Sequence, residues 1–314
     1  MELNVERGGF SRPEWMEEAV GRLLDTPLRV HLWGETGSGK NHLAYRFRDH
    51  VMAAGRPFVE INVANLSDEL LEGELFGCRR GAFTGAVADR AGVLERAEGG
   101  ILFLNEVGEL SAAGQAKLLT LLDTGLYRRL GDPTERRFTA RVISATNRNL
   151  TRCVRAGAFR EDLYYRLAQV RILVMSLRDR EGEAVRMARA VLDRLAIERG
   201  RPLHFDSRAI TRIEAYHWPG NIRQLKSVVE TLAWLAPGNL ITGHALEEQI
   251  RQAGVDTEAL FDRSFLRERV DELERVEIEK ALGATFGNKT QAAARLGLSV
   301  VGLRLKLKRL GFEE

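Results

Sequence analysis

The stretch Gly34-Glu35-Thr36-Gly37-Ser38-Gly39-Lys40 restricts the possible folds of this chain more than any other. An apolar run, Leu28-Arg29-Val30-His31-Leu32-Trp33, precedes it and reads as a short strand. Asn41 to Phe47 follows, with Leu43, Ala44 and Phe47 at helical spacing. Strand, glycine turn, lysine and helix in that order make a phosphate cradle. Glycines let successive backbone N–H groups point at phosphate oxygens, and the helix N-terminus adds partial positive charge. The spacing G-x-x-x-x-G-K puts Lys40 within reach of the β- and γ-phosphates. The alternative, a glycine turn with a surface lysine, does not account for the flanking strand and helix. Asn41 departs from the general pattern, because a Ser or Thr hydroxyl usually meets Mg²⁺ at that position.

The rest of the chain supplies a sheet around this cradle. Residues up to Arg12 read as an irregular lead-in, and Pro13 is predicted to open a helix through Leu24. That leaves no room ahead of the cradle for a sensory domain, so any regulatory signal is expected from a protein acting in trans. Pro57 to Val63 reads as a second strand. Gly99 to Glu106 and Arg141 to Asn147 read as buried parallel strands with polar C-terminal ends, the phosphate edge of such a sheet. A carboxylate there, Glu106, can orient water against a γ-phosphate. Ser111 is placed to cap a helix carrying Leu118, Leu119 and Leu122. Between the second and third strands lies Gly81-Ala82-Phe83-Thr84-Gly85-Ala86. An aromatic among small residues fits a loop tip that touches a partner, with a buried turn as the alternative.

From about Leu177 the pattern turns helical. Helices are expected at Ala184 to Arg199, Ser207 to Tyr216 and Ile222 to Leu235, with Trp218-Pro219-Gly220-Asn221 as punctuation. Ala236 to about Asp262 reads as a mixed link. Leu266, Val270, Leu273, Ile278, Ala281 and Leu282 then mark a long amphipathic helix. Thr290 is placed to cap Gln291 to Leu296, Gly297 makes a turn, and Ser299 starts a last helix to Leu310. Two short helices about a glycine turn are a helix-turn-helix. Its basic residues, among them Arg304, Lys306, Lys308 and Arg309, suit phosphate contacts in a DNA groove.

Composition adds limits. The 314 residues suffice for two domains and a small third, and 44% hydrophobic residues can bury sizeable cores. The net charge of +3 is too small to imply nucleic acid by itself, so the local basic helix must carry that inference. The two cysteines, Cys78 and Cys153, lack metal-ligand spacing, and a reduced, cytoplasmic setting is the simplest reading. No apolar run is long enough for a bilayer, so no membrane partner is expected.

Taken together, these stretches resemble the NtrC-like bacterial enhancer-binding proteins, AAA+ ATPases that activate sigma-54 RNA polymerase. The resemblance rests on GAFTGA at Gly81–Ala86, FREDLYYRL at Phe159–Leu167, WPGNIRQL at Trp218–Leu225 and a Fis-type terminal domain. It implies an α/β P-loop fold: lead-in 1–13, ATPase subdomain 14–176, helical lid 177–240, linker 241–264 and helix-turn-helix 265–314. It implies ATP and Mg²⁺ as cofactors, with ATP on Gly34 to Lys40 and Asn41, a closed ring expected to be a hexamer, and enhancer DNA as a tether. Glu106 would polarise the attacking water, Asn62 would hold that glutamate off until a partner engages, Asn147 matches sensor I and Arg223 matches sensor II. Arg160 and Arg166 match arginine fingers offered to a neighbour, although outside this string they would read as surface ion pairs. Gly81, Ala82, Phe83, Thr84, Gly85 and Ala86 would contact sigma-54. Lys289, Thr290, Ser299, Val300, Arg304, Lys306 and Lys308 would contact DNA.

Two places depart from the family. Asn105 stands where the family has Asp, keeping an oxygen acceptor but losing charge, which predicts weaker Mg²⁺ binding and slower hydrolysis. In the last helix Val300, Gly302 and Leu305 replace common Arg, Thr and Lys, and a helix-interior glycine costs about 1 kcal/mol. The alternatives to an active ATPase are therefore a nucleotide-binding regulator or passive partner in a mixed ring, and a general AAA+ remodeller. The GAFTGA loop argues against the last.

Overall fold

The structure is a computed structural model that describes residues 20–82, 87–236, 238–253, 274–275, 277–285 and 288–309. Short runs such as Ile101-Leu102-Phe103-Leu104 carry no polar side chain on either face, so they bury both. They form a five-stranded parallel sheet from β1 (Val30–Trp33), β2 (Phe58–Asn62), β3 (Ile101–Asn105), β4 (Arg141–Thr146) and β5 (Val170–Leu173), in the order β2-β3-β4-β1-β5. Helices α1 (Lys40–Ala53), α2 (Asp68–Phe76), α3 (Ala112–Thr124) and α4 (Glu161–Leu167) accompany it. One core cluster gathers Phe47, Val51, Phe103, Ile143 and Ile172, and another gathers Leu71, Leu104, Leu118, Leu121 and Leu163. Ser111 caps α3 as expected, its side chain accepting from Gly114 N–H.

The register sets the chemistry. Asn62, the last residue of β2, pairs with Asn105, the last of β3, and Asn105 pairs with Ala145 in β4. Trp33, at the mouth of the cradle, pairs with Thr146. The polar strand ends therefore fall on one sheet edge, where parallel α/β sheets bind ligands.

The lid has four helices: α5 (Glu183–Arg199), α6 (Ser207–Ala215), α7 (Asn221–Leu235) and α8 (Gly243–Ala253). They close over Leu192, Leu195, Ile213, Trp218, Leu225 and Val229. The indole N–H of Trp218, fully buried, donates to Ile213 O at 2.8 Å.

Several expectations change. Strand β5 was not foreseen, because Arg171 interrupts its apolar run. Gly243–Ala253, expected inside the link from 241, form α8, whose Leu246 and Ile250 join the lid core, and residues 254–264 of that link lie outside the described residues. Of the helix predicted from Pro13, residues 20–23 are described and helical, and the earlier part lies outside the described residues.

A second compact unit comprises Gly254–Glu314. Within it, α9 (Lys289–Arg295) and α10 (Val300–Arg309) pack with Ile278, Ala281, Ala292, Ala293, Leu303 and Leu307. Leu266, Val270 and Leu273 lie outside the described residues. The cap of α9 is Asn288, not Thr290: its side-chain oxygen accepts from Thr290 and Gln291 N–H at 3.1 and 3.2 Å, so the helix starts two residues earlier, at Lys289. Ser299 does start α10, accepting from Gly302 N–H at 3.0 Å. Gly302 thus sits in the first turn with its N–H satisfied, and the interior-glycine penalty does not apply in full.

Candidate nucleotide site

A cavity of about 650 Å³ opens over the cradle. Thr36 to Leu43, Asn62, Asn105 and Glu106 line it from the sheet side, and Ile222, Arg223 and Lys226 from the lid. Positive φ at Gly37 (75°) and Gly39 (108°) shapes the turn. Lys40, 5% exposed, donates from Nζ to the carbonyls of Gly34 at 2.8 Å and Glu35 at 3.1 Å. Burial lowers its pKa; Glu106 counters this and the nearby Arg223 charge adds to it. An ammonium held in a low-dielectric cleft beside a second cation is poised to receive a polyanion.

Glu106 follows β3 in the left-handed region, φ 56°. That conformation is unusual for a side-chain-bearing residue and marks functional sites. Its carboxylate accepts from Asn147 N–H at 3.1 Å, and Asn147 Nδ2 donates to Thr36 Oγ1 at 2.9 Å. The sheet edge and the cradle are thereby joined through Asn147. Asn62 lines the same cavity, and its side-chain oxygen accepts from Ala64 N–H. Asn105 is buried; its Nδ2 donates to Glu60 Oε1 at 3.4 Å, and its Oδ1 has no hydrogen-bond partner among the described residues.

The lid grips the cradle through residues that sequence reasoning missed. Arg178 makes a two-pronged ion pair with Glu35, one arm 2.9 Å long. Asn221 Nδ2 donates to Glu35 Oε2 and Thr36 O, both at 3.0 Å, while its oxygen accepts from Leu177 N–H. Arg180 donates to Ser38 O at 2.7 Å. Burial alone would raise the Glu35 pKa, but Arg178 and Asn221 hold it below the usual value. In the sequence Asn221 reads only as punctuation, and its place in WPGN is the one signal there; in the structure its φ is 52°.

Other expected site residues lie elsewhere. Arg160 and Arg166 do not line this cavity; they are half-exposed and paired with Asp162 at 2.8 Å and Asp123 at 2.5 Å. Gly81 and Ala82 are described, whereas Phe83, Thr84, Gly85 and Ala86 lie outside the described residues. The base of that loop is a short antiparallel pair, Gly77–Cys78 with Arg90–Ala91. In the second unit Arg304 and Thr290 are exposed, Lys289 and Ser299 are respectively half-buried and exposed, and Val300 packs against that unit's own core. Lys306 is tied to Glu274 at 2.5 Å, so it is less free for a phosphate than expected. The side chain of Lys308 lies outside the described residues.

A glycine cradle on a parallel sheet, acidic and amide side chains on the same edge, and a helical lid presenting an arginine define a P-loop module of the AAA+ class. Comparisons with known proteins agree. Residues 12–173 match the Sigma-54 interaction domain, 178–261 the AAA+ ATPase lid domain, and 269–310 the bacterial regulatory protein, Fis family. The chain belongs to the family of NtrC-type sigma-54-dependent transcriptional activators. It is 42% identical over 305 residues to the hydrogenase transcriptional regulatory protein HoxA of Cupriavidus necator, covering 95% of this chain and 63% of that protein. It is 36% identical to the DNA-binding transcriptional regulator NtrC of Rhizobium meliloti, covering 93% and 66%. The crystal structure of NtrX from Brucella abortus in complex with ATP is similar with a TM-score of 0.70 and 29% identity, covering 98% of this chain and 69% of that one. The chain spans about three-fifths of the length of curated relatives that it matches. No helix among the described residues is long and apolar enough to cross a membrane.

Proposed function

We propose that this chain is an ATP-hydrolysing transcriptional activator that works in the cytoplasm, binds enhancer DNA and remodels sigma-54 RNA polymerase through Gly81–Ala86. The observation that carries the reading is the convergence of Lys40, Glu106 and Arg223 around one cavity, with Asn147 bonded to both Glu106 and Thr36 of its wall, in a chain of this family. Lys40 and the cradle N–H groups hold the phosphates. Glu106, oriented by the Asn147 N–H, takes the proton side of the attacking water. Asn147, bonded to Thr36, relates the state of the cradle to the position of Glu106. Arg223 stabilises charge from the lid side, and in a ring Arg160 and Arg166 would exchange their surface partners for a neighbour's γ-phosphate.

Mg²⁺ is implied by the family, and the donor set fits it: two buried oxygens on the cavity wall, Ser38 Oγ and Asn105 Oδ1, lack partners among the described residues. Oxygen donors are what a hard cation takes. Asn105, Ser38 and Glu106 would hold its coordination shell, where the ion would neutralise phosphate charge.

A second reading, a nucleotide-binding regulator that hydrolyses slowly or serves as passive partner in a mixed ring, is favoured by the uncharged Asn105. Phosphate release and capture of sigma-54 in the presence of a transition-state nucleotide mimic test both. Turnover with mimic-dependent capture is expected. Capture without turnover, alone or mixed with a related subunit, would establish the second reading, and failure to hold adenine nucleotide would refute both.

A further inference from the structure

Asn41 and Asn105 each stand where a metal-side group is usual, and Asn105 is tied to Glu60, which Tyr45 also holds. Asn105 Nδ2 donates to Glu60 Oε1 at 3.4 Å. The Tyr45 hydroxyl donates to Glu60 Oε2 at 3.1 Å. Asn41 stands one turn earlier on α1 and lines the same cavity as Asn105. Glu60 stands in β2 and faces solvent, while Asn105 at the end of β3 is 7% exposed.

The chemistry of these groups fixes an orientation. An ionised carboxylate only accepts, so the half of the Asn105 amide that faces Glu60 must be the NH₂. The oxygen is left for the cavity that Asn105 lines, buried and without a partner among the described residues. A buried acceptor left unpaired is costly, and an oxygen on a phosphate-binding wall is a natural donor to a hard cation or its water shell. Were the amide reversed, Nδ2 would face the cavity and repel a cation. The Tyr45 bond restrains a carboxylate that would otherwise swing freely in solvent.

We propose that Glu60 is a positioning residue for a divalent cation carried with the nucleotide. It turns the Asn105 oxygen toward the phosphates and returns, one side chain away, the negative charge that asparagine lacks at this position. The inference rests on the ATP reading above and concerns this chain's own compensation for Asn105.

The test uses the full chain, a non-hydrolysable ATP analogue and Mn²⁺ as the spectroscopic probe. Mn²⁺ affinity is read by electron paramagnetic resonance, and analogue affinity is read in EDTA. Glu60→Gln is expected to weaken Mn²⁺ binding about tenfold, the scale of an outer-shell partner, with analogue affinity in EDTA unchanged. Tyr45→Phe should give a smaller loss in the same direction. Adding Asn105→Asp to Glu60→Gln should restore Mn²⁺ affinity, because the charge returns at the ligand itself. Unaltered Mn²⁺ affinity in Glu60→Gln, or no rescue by Asn105→Asp, overturns the proposal while nucleotide binding stands. An unmodified chain that binds no analogue with or without metal overturns the ATP reading underneath it.

Discussion

His31 lies in β1, three residues before the cradle, and offers a quantitative test of how dry the sheet is beneath the nucleotide site. It is 2% exposed, and Nδ1 lies 2.9 Å from Ser144 Oγ on β4. Burial, with the positive charges of Arg171 and Lys40, pushes its pKa down to about 3 from 6.5. The folded chain therefore keeps His31 neutral over a range in which the unfolded chain protonates it. Where the unfolded state binds more protons, stability falls as pH falls. The loss begins near pH 6.5 and grows until the folded value is reached. At pH 5 the unfolded imidazole is favoured by protonation by about 1.5 pK units, or about 2 kcal/mol, and at pH 7.5 by almost nothing. This figure is set by the unfolded value and holds for any folded pKa well below 5. Replacing His31 with Gln removes the titration while keeping a polar group for Ser144. The replacement carries its own packing cost, but that cost is the same at both pH values and cancels. Urea unfolding of the full chain, followed by far-ultraviolet circular dichroism at pH 7.5 and pH 5, should show the unmodified chain losing about 2 kcal/mol more than His31→Gln. Parallel losses in the two chains would mean that water or a compensating charge reaches His31, and the reasoning would fail.

Two further outcomes follow from the geometry. Glu35→Gln should loosen the lid, because it removes the charged acceptor of Arg178; a charge-assisted bond of this kind is worth about 1.5–3 kcal/mol, so analogue affinity should fall and hydrogen exchange at the start of α7 should rise. In the second unit, Arg304→Ala should weaken binding uniformly across duplexes and lower the salt slope by about 1, while Lys306→Ala, already paired with Glu274, should change the slope less and instead lower thermal stability slightly.

The cradle, β1, β3 and β4 were legible because their signals are local: glycine spacing, uninterrupted apolar runs and polar strand ends. Strand β5 was not, since Arg171 breaks a four-residue run and only pairing with β1 makes it a strand. Helix α8 offered little pattern beyond Leu246 and Ile250, four apart, and it is the lid core that recruits them. The α9 cap turned on a choice between two residues, two positions apart, that can both cap, and the structure has the Asn288 side chain accepting from two N–H groups. The clamp on Glu35 was invisible for a different reason. Its partners Arg178 and Asn221 lie 143 and 186 residues away, and no local period links an ion pair across that distance.

That clamp also changes what the glycine signal means. A Cβ at Gly34 would sit 2.3 Å from Val174 O, just past β5, and a Cβ at Gly37 would sit 2.4 Å from Gly220 O in the lid. Neither clash involves a phosphate. The carbonyl of Gly37 also accepts from Ile222 N–H at 3.1 Å. Two of the glycines that announce a phosphate cradle are thus demanded equally by close backbone neighbours, one at the sheet and one at the lid. A turn whose shape depends on the lid backbone cannot alter when phosphates arrive or leave without moving Gly220, Asn221 and the start of α7. Arg223 stands on that same first turn, so cradle and lid respond as one mechanical element, with Glu35 as the tie between them.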